Sequence, residues 1–216
     1  YTTSKGDFRA VFRDKYIASN MFTVKPWKQL NFSVGNSIIY SDMGIHPAYL
    51  IPFMFYKSID HTINKGIDNQ NSQMFFSISS RNIRKLHLYA TYFIDEWSFT
   101  RVTNPDRRNF TSFKAGLQTH NVIFENTSFI AEYTQTNPLT YKHRVPTLTF
   151  STNDFNMGHY LMDNARDINV AFQWKPLACL QINAFVGLAQ KGNDYQYIKV
   201  PGERLDEFPY LKDIIW

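Results

Sequence analysis

Four consecutive residues, Tyr141-Lys142-His143-Arg144, join an aromatic ring to three nitrogen donors. Guanidinium and ammonium groups hold carboxylates and phosphates by charge-assisted hydrogen bonds, and an aromatic face stacks on a sugar ring. The stretch is therefore a candidate glycan-binding cluster; the bland alternatives are a solvated basic loop or contact with lipopolysaccharide phosphates. A second constellation is Asp95-Glu96, followed by Arg101, Arg107 and Arg108. Adjacent residues on a strand point to opposite faces, which argues against a shared-proton carboxylate dyad. Asp95, Glu96, Arg107 and Arg108 read instead as an ion-pair network at the base of a loop. His143 and His159 fall in one predicted loop without the His/Cys/Asp spacing of a zinc site. No Gly-x-Ser-x-Gly elbow and no phosphate-binding glycine loop occurs. The single cysteine, Cys179, forms no disulfide or CxxC site within this chain, and its apolar neighbours make it an expected small strand hydrophobe. The expected chemistry is binding, with no catalytic residue, metal or cofactor.

These groups have to be positioned by strands. In 169–189, Val170, Phe172 and Trp174 alternate with Asn169, Ala171 and Gln173. After Lys175-Pro176-Leu177, the residues Leu180, Ile182, Ala184, Val186 and Leu188 alternate with Gln181, Asn183, Phe185, Gly187 and Ala189. Period-two alternation on both sides of a short break predicts an antiparallel hairpin. The same pattern predicts strands over 30–40 and around Met74-Phe76-Ile78, Leu86-Ile94, Phe113-Leu117 and Phe129-Tyr133, and, with an imperfect alternation that sets Ile17 and Met21 opposite Phe22 and Val24, over 15–25, ended by Pro26-Trp27. That makes eight strands, joined alternately by short breaks (26–27, 81–84, 120–126, 175–178) and long ones (41–71, 95–109, 137–166). The apolar run Tyr49-Leu50-Ile51-Pro52-Phe53-Met54-Phe55-Tyr56 in the first long connection is expected to be a short helix or a loop packed inward as a plug.

Such a chain is all-β. A soluble sandwich has no reason to gather its long loops at one end, whereas membrane barrels combine short periplasmic turns with long extracellular loops. Strands of about ten residues suit a tilted crossing of the bilayer. Mean hydropathy is −0.36, and no apolar run reaches the ~20 residues of a membrane helix, which excludes a helical membrane protein. The expectation is an antiparallel transmembrane β-barrel, with 1–216 as a single outer-membrane domain that is part of a larger one. A formal charge of +5 permits anionic partners. The basic residues are scattered over loops and form no aromatic-interleaved stripe, so no nucleic acid is expected.

Several blocks resemble the Wzi family of outer-membrane capsule-assembly proteins, Bacteroidetes branch. They are Ser37-Ile38-Ile39-Tyr40, Pro47 to Tyr56, Asp68-Asn69-Gln70-Asn71, Tyr92-Phe93-Ile94-Asp95-Glu96, Glu132-Tyr133-Thr134, Asn137-Pro138-Leu139-Thr140-Tyr141-Lys142-His143-Arg144 and Met157-Gly158-His159-Tyr160-Leu161. The resemblance spans residues 16–189. It implies an 18-stranded barrel at the bacterial cell surface that tethers or organises capsular polysaccharide. Where the family often has Gly-Pro after its Gly-His block, this chain has Met162-Asp163-Asn164.

The expected function is thus a non-enzymatic outer-membrane surface protein engaging capsular or other acidic polysaccharide. Its surroundings would be outer-membrane lipid and lipopolysaccharide. One alternative is a porin-like channel whose lumen face carries Gln73, Ser77, Ser79, Lys85 and His87. The other is an accessory or scaffold subunit among other outer-membrane proteins.

Overall fold

Alternation gives each strand one apolar face and one polar face, and neighbouring strands can satisfy their backbones while keeping the two apart only if they pair in register. The computed structural model, which describes residues 14–63, 69–103, 109–122, 124–153 and 155–192, shows that outcome. Eight strands form one antiparallel sheet: β1 (Lys15–Trp27), β2 (Leu30–Ser41), β3 (Gln70–Ser80), β4 (Leu86–Glu96), β5 (Phe110–His120), β6 (Thr127–Thr136), β9 (Ala165–Leu177) and β10 (Leu180–Lys191). The two-residue strands β7 (Ser151–Thr152) and β8 (Phe155–Asn156) make a separate small hairpin inside the last long connection. Strand order follows chain order, so the sheet is an up-and-down meander. The short connections 28–29, 81–85, 121–126 and 178–179 therefore lie at one end, and the long ones, 42–69, 97–109 and 137–164, at the other.

Two expected breaks are strand instead. Pro26 and Trp27 remain in β1, with an irregular register between Val24 and Trp27, and the turn is Lys28-Gln29 with Gln29 at φ 66°. Proline donates no ladder hydrogen bond, so it is tolerated on an edge strand at an irregularity. Lys175-Pro176-Leu177 likewise belongs to β9, and the turn is Ala178-Cys179. Cys179 is consequently an exposed turn residue and not a strand hydrophobe. Lys85, expected on a lumen face, sits in the β3–β4 turn at φ 63° with its amine on the Asn121 carbonyl.

Register sorts the side chains. Val24, Phe32, Ile78, Ala90, Ala115, Tyr133, Ile168 and Leu188 are successive Cα partners, a row that is apolar in every strand of the sheet. One residue further along, Thr23, Ser33, Ser77, Thr91, Lys114, Thr134, Asp167 and Ala189 form a row on the opposite face, polar in all strands but the last. The apolar band runs obliquely across these rows. The row Phe22-Val34-Phe76-Tyr92-Phe113 continues as polar Gln135-Arg166-Gln190, while below it Phe129, Phe172 and Ala184, then Trp174 and Ile182, extend the band downward. Many of these apolar side chains are exposed: Val24 56%, Phe22 51%, Val186 59%, Leu188 64%.

The two faces are covered differently. A 3-10 turn (Pro47–Leu50) and helix α1 (Tyr56–Ile63) lie over the apolar face of β1–β3 at its long-connection end, where Ile38, Tyr40, Tyr49, Tyr56 and Ile59 form a buried cluster. In the Tyr49–Tyr56 run, Tyr49-Leu50 end the 3-10 turn and Tyr56 begins α1, with 51–55 a non-helical link between them, and the run does not plug the polar face. That face is covered by 137–164. A short helix α2 (Phe99–Val102) occupies the middle connection.

On the polar face, cross-strand aromatics lie over glycines. The Tyr89 ring passes over Gly116, and its hydroxyl donates to Glu132 Oε1 at 2.7 Å; Phe75 covers Gly35 in the same manner. A Cβ at Gly116 would run into the Tyr89 ring. Gly116→Val should therefore destabilise the fold by about 1–3 kcal/mol through overpacking. Combining it with Tyr89→Ala should cost less than the two single changes summed, because the clash partner is gone. Denaturant midpoints of the four proteins check this; strict additivity would show that the ring yields freely.

Candidate functional site

The upper end of β4 projects Phe93 onto the polar face, the same side as its partners Phe75 and Ser112, and Asp95, at the register irregularity between Ile94 and Glu96, reaches Asn71 and Tyr141 there. Asp95 is buried; its Oδ2 accepts the Tyr141 backbone N–H at 2.9 Å and its Oδ1 accepts Asn71 Nδ2 at 3.3 Å. Asn71 also donates to the Leu148 carbonyl at 3.1 Å, and Ser41 Oγ donates to Thr147 Oγ1 at 3.2 Å. From the other side of the sheet, Asn137 donates to the Asn109 carbonyl and to Thr111 Oγ1, each at 2.9 Å. Side chains at the strand ends thus tie the long connection down along its length.

Two more buried carboxylates act from within that connection and from β9. Asp163 Oδ2 accepts the Leu139 N–H at 2.8 Å, and its Oδ1 lies 3.0 Å from Lys142 Nζ and 3.5 Å from Lys191 Nζ. Asp167 Oδ2 accepts the Tyr160 hydroxyl at 2.8 Å and Asn169 Nδ2 at 2.6 Å, while Oδ1 is 3.6 Å from His159 Nε2. Burying such a charge is tolerable only because donors surround it. Leu139 and Tyr141 both have positive φ, 64° and 75°. A bulky residue in that region is strained by roughly 1–3 kcal/mol; the Asp163 and Asp95 hydrogen bonds hold the N–H groups of these two residues.

Between this connection and the polar face lies a cleft of about 460 Å³. Its walls include the hydroxyls of Ser19, Ser37, Thr91 and Thr134, the Phe93, Tyr141 and Phe150 rings, and the cationic Lys114 beside His159. The three rings pack together at 5.3–5.9 Å between centroids, and Tyr141 also lies against Gly158, where no Cβ would fit. Burial pushes the Tyr141 phenol above its ordinary value. Burial, with Lys114 acting the same way, holds the His159 imidazole below its ordinary value despite the Asp167 carboxylate beside it. Hydroxyls, ring faces and the Lys114 cation suit binding of a polar ligand.

The predicted glycan cluster is not one exposed patch. Tyr141 is buried in the ring cluster, Lys142 is half-buried on Asp163, His143 Nδ1 accepts the Val145 N–H at 3.1 Å, and Arg144 is exposed. Of the predicted ion-pair network, only the two carboxylates fall among the described residues. Glu96 pairs with Arg101 at 2.8 Å, and the Arg101 guanidinium is buried 4.7 Å over the Phe110 ring. Asp95 instead anchors the 137–164 connection; Arg107 and Arg108 lie outside the described residues. Sequence reasoning gave no role to Asp163, Asp167 or Asn71, and weighed His159 only against a zinc site and as part of a motif. The positive-φ positions Leu139 and Tyr141 carry no glycine to advertise them, and most partners of the carboxylates lie far from them in sequence or are backbone N–H groups that leave no mark in it.

Other chemistry-bearing groups are sparse. Ser79 Oγ lies 2.8 Å from His87 Nε2 on the polar face, but among the described residues no carboxylate orients that imidazole as a triad requires. Among the described residues no group of three His, Cys, Asp or Glu is placed to hold a metal ion. No protein-family model matches the chain, and no curated protein or solved structure does.

Two outcomes are expected. Asp95→Ala leaves the Tyr141 N–H without its acceptor, a loss of about 1–3 kcal/mol, while Asp95→Asn keeps an oxygen there. Hydrogen exchange at the Tyr141 amide should accelerate about tenfold or more in the first variant and change little in the second. Because the His159 pKa is lower folded than unfolded, its contribution is present above about pH 6.5 and is lost as pH falls below it. Amides of 137–164 should exchange faster at pH 5 than the intrinsic rate predicts, and His159→Gln should remove part of that pH dependence.

Proposed function

We propose that this chain is wall and loop structure of a transmembrane β-barrel in a bacterial outer membrane, a non-enzymatic surface protein that engages capsular or other acidic polysaccharide. The observation that carries the membrane part is the apolar row running through all eight strands, with its exposed side chains and its polar counterpart one residue away. Soluble monomers rarely expose contiguous apolar patches beyond a few hundred Å². Lipid covers such a face at no cost, and an oblique band is what tilted strands in a barrel wall produce. In that setting the edges of β1 and β10 must also be paired, since an unsatisfied backbone group in hydrocarbon costs several kcal/mol.

The polysaccharide part rests on the resemblance to capsule-assembly proteins and on the end of the sheet where the long connections gather. There Arg144 is exposed and Lys142 partly so. A porin-like channel is the weaker reading, because 137–164 lies across the face that would line the lumen.

Three measurements test the proposal. Ile182→Arg on the apolar face should cost about 2–4 kcal/mol of folding free energy in a bilayer, and Asn183→Arg on the polar face much less; equal costs would remove lipid from the apolar face. In intact cells carrying Cys179→Ser, an impermeant thiol reagent should label Arg144→Cys at the long-connection end and leave Asn82→Cys unlabelled. Arg144→Gln should leave heat-modifiable gel migration unchanged and reduce capsule retained at the surface. Full retention would take this residue out of the glycan contact.

A further inference from the structure

The apolar face is not apolar everywhere. Above the row Phe22-Val34-Phe76, β1–β3 place Asn20, Asn36, Ser72 and Gln70 on the same face by register. Facing hydrocarbon, such amides would be costly. The segment 45–59 meets Asn20, Asn36 and Gln70. Met54 O accepts Asn20 Nδ2 at 2.8 Å and Asn36 Nδ2 at 3.4 Å, and the Tyr56 N–H donates to Asn36 Oδ1 at 2.9 Å. Tyr49 packs on Tyr40 at 4.8 Å between centroids and places its hydroxyl on Gln70 Oε1.

The other side of this segment is bare. Ile45 (65%), Leu50 (69%), Phe53 (74%) and Phe55 (43%) are exposed, while Tyr49, Tyr56 and Ile59 are buried beneath them. Phe53 and Phe55 flank Met54, whose carbonyl meets the Asn20–Asn36 pair. That pair lies two residues, about 7 Å along the strand, above Phe22–Val34 at the top of the apolar band. Phe53 and Phe55 therefore lie on the band's side of the sheet at its upper margin, and Leu50, next to the Tyr49 that packs on Tyr40, lies on the same side further along the strands.

We propose that 45–59 is an interfacial anchor: a segment folded onto the outside of the barrel wall that inserts Leu50, Phe53 and Phe55 into the boundary between lipid head groups and acyl chains. The inference rests on the barrel reading. It adds that the wall of β1–β3 is thickened on its lipid side, with the segment covering the polar Asn20–Asn36 pair and presenting apolar residues outward in its place. Apolar and aromatic side chains presented on one side of a segment bury about 5–10 Å into this boundary.

The test uses the full chain, with Cys179→Ser, refolded into phosphatidylcholine vesicles and carrying a nitroxide at Phe53→Cys, Val186→Cys or Asn82→Cys in turn. Power saturation with oxygen and with a water-soluble nickel chelate reads lipid against water. Val186 should collide with oxygen and not with the chelate, Asn82 the reverse. Phe53 should read as lipid-exposed but shallower than Val186. Phe53 reading as aqueous while Val186 reads as deep overturns the anchor and leaves the barrel standing; Val186 reading as aqueous overturns both. A Phe53 label shielded from both reagents means a protein-covered surface and also overturns the anchor. Leu50→Cys gives the same readout should Phe53→Cys fail to refold.

Discussion

A sheet with an oblique apolar band running from β1 to β10 carries on one face a broad surface that water opposes, and the rest of the molecule is arranged around that constraint. Each fully buried aliphatic or aromatic side chain gains about 1.5–3 kcal/mol over its exposed state. A face carrying Phe22, Val24, Ile168, Val186 and Leu188 exposed therefore holds a large unrealised stabilisation. Only cover by lipid or by more protein recovers it. The interior of the fold is correspondingly thin: the buried hydrophobic residues concentrate where a connection folds back onto the sheet, at Ile38, Tyr40, Tyr49, Tyr56 and Ile59. The sheet does not build a core of its own.

The polar face is organised by carboxylates. Asp95, Asp163 and Asp167 are all buried, and each accepts hydrogen bonds that fix the 137–164 connection or tie it to the sheet. Their partners differ: backbone N–H and amide for Asp95, two lysines and a backbone N–H for Asp163, a phenol, an amide and a histidine for Asp167. Losing one partner of a buried charge costs more than the net value of the pair. This connection is thus held by strong but individually breakable contacts, whereas the strands beneath it are held by their backbone ladders. Under the proposed function, loop and wall have separable stabilities, which suits a surface loop carried on a rigid wall.

How much was legible in the chain follows from the range of each interaction. Alternation such as Val170-Phe172-Trp174 against Asn169-Ala171-Gln173 is local, so the sequence by itself determined eight strands, their antiparallel meander and which side chains share a face. It also separated short from long connections, because Gly, Pro, Asn and charged residues interrupt the alternation. It placed the ends of strands less well: Pro26 and Pro176 are tolerated where the neighbouring strand makes no demand on their missing N–H, a fact that depends on the partner strand. The tertiary structure alone decided which face each long connection covers. Tyr49 and Tyr56 belong to the apolar face because Asn20 and Asn36 wait there for the Met54 carbonyl and the Tyr56 N–H. Tyr141, an exposed ring by its basic neighbours, is turned inward because Asp95, 46 positions away, holds its N–H in a left-handed conformation. No local pattern encodes a hydrogen bond over that separation.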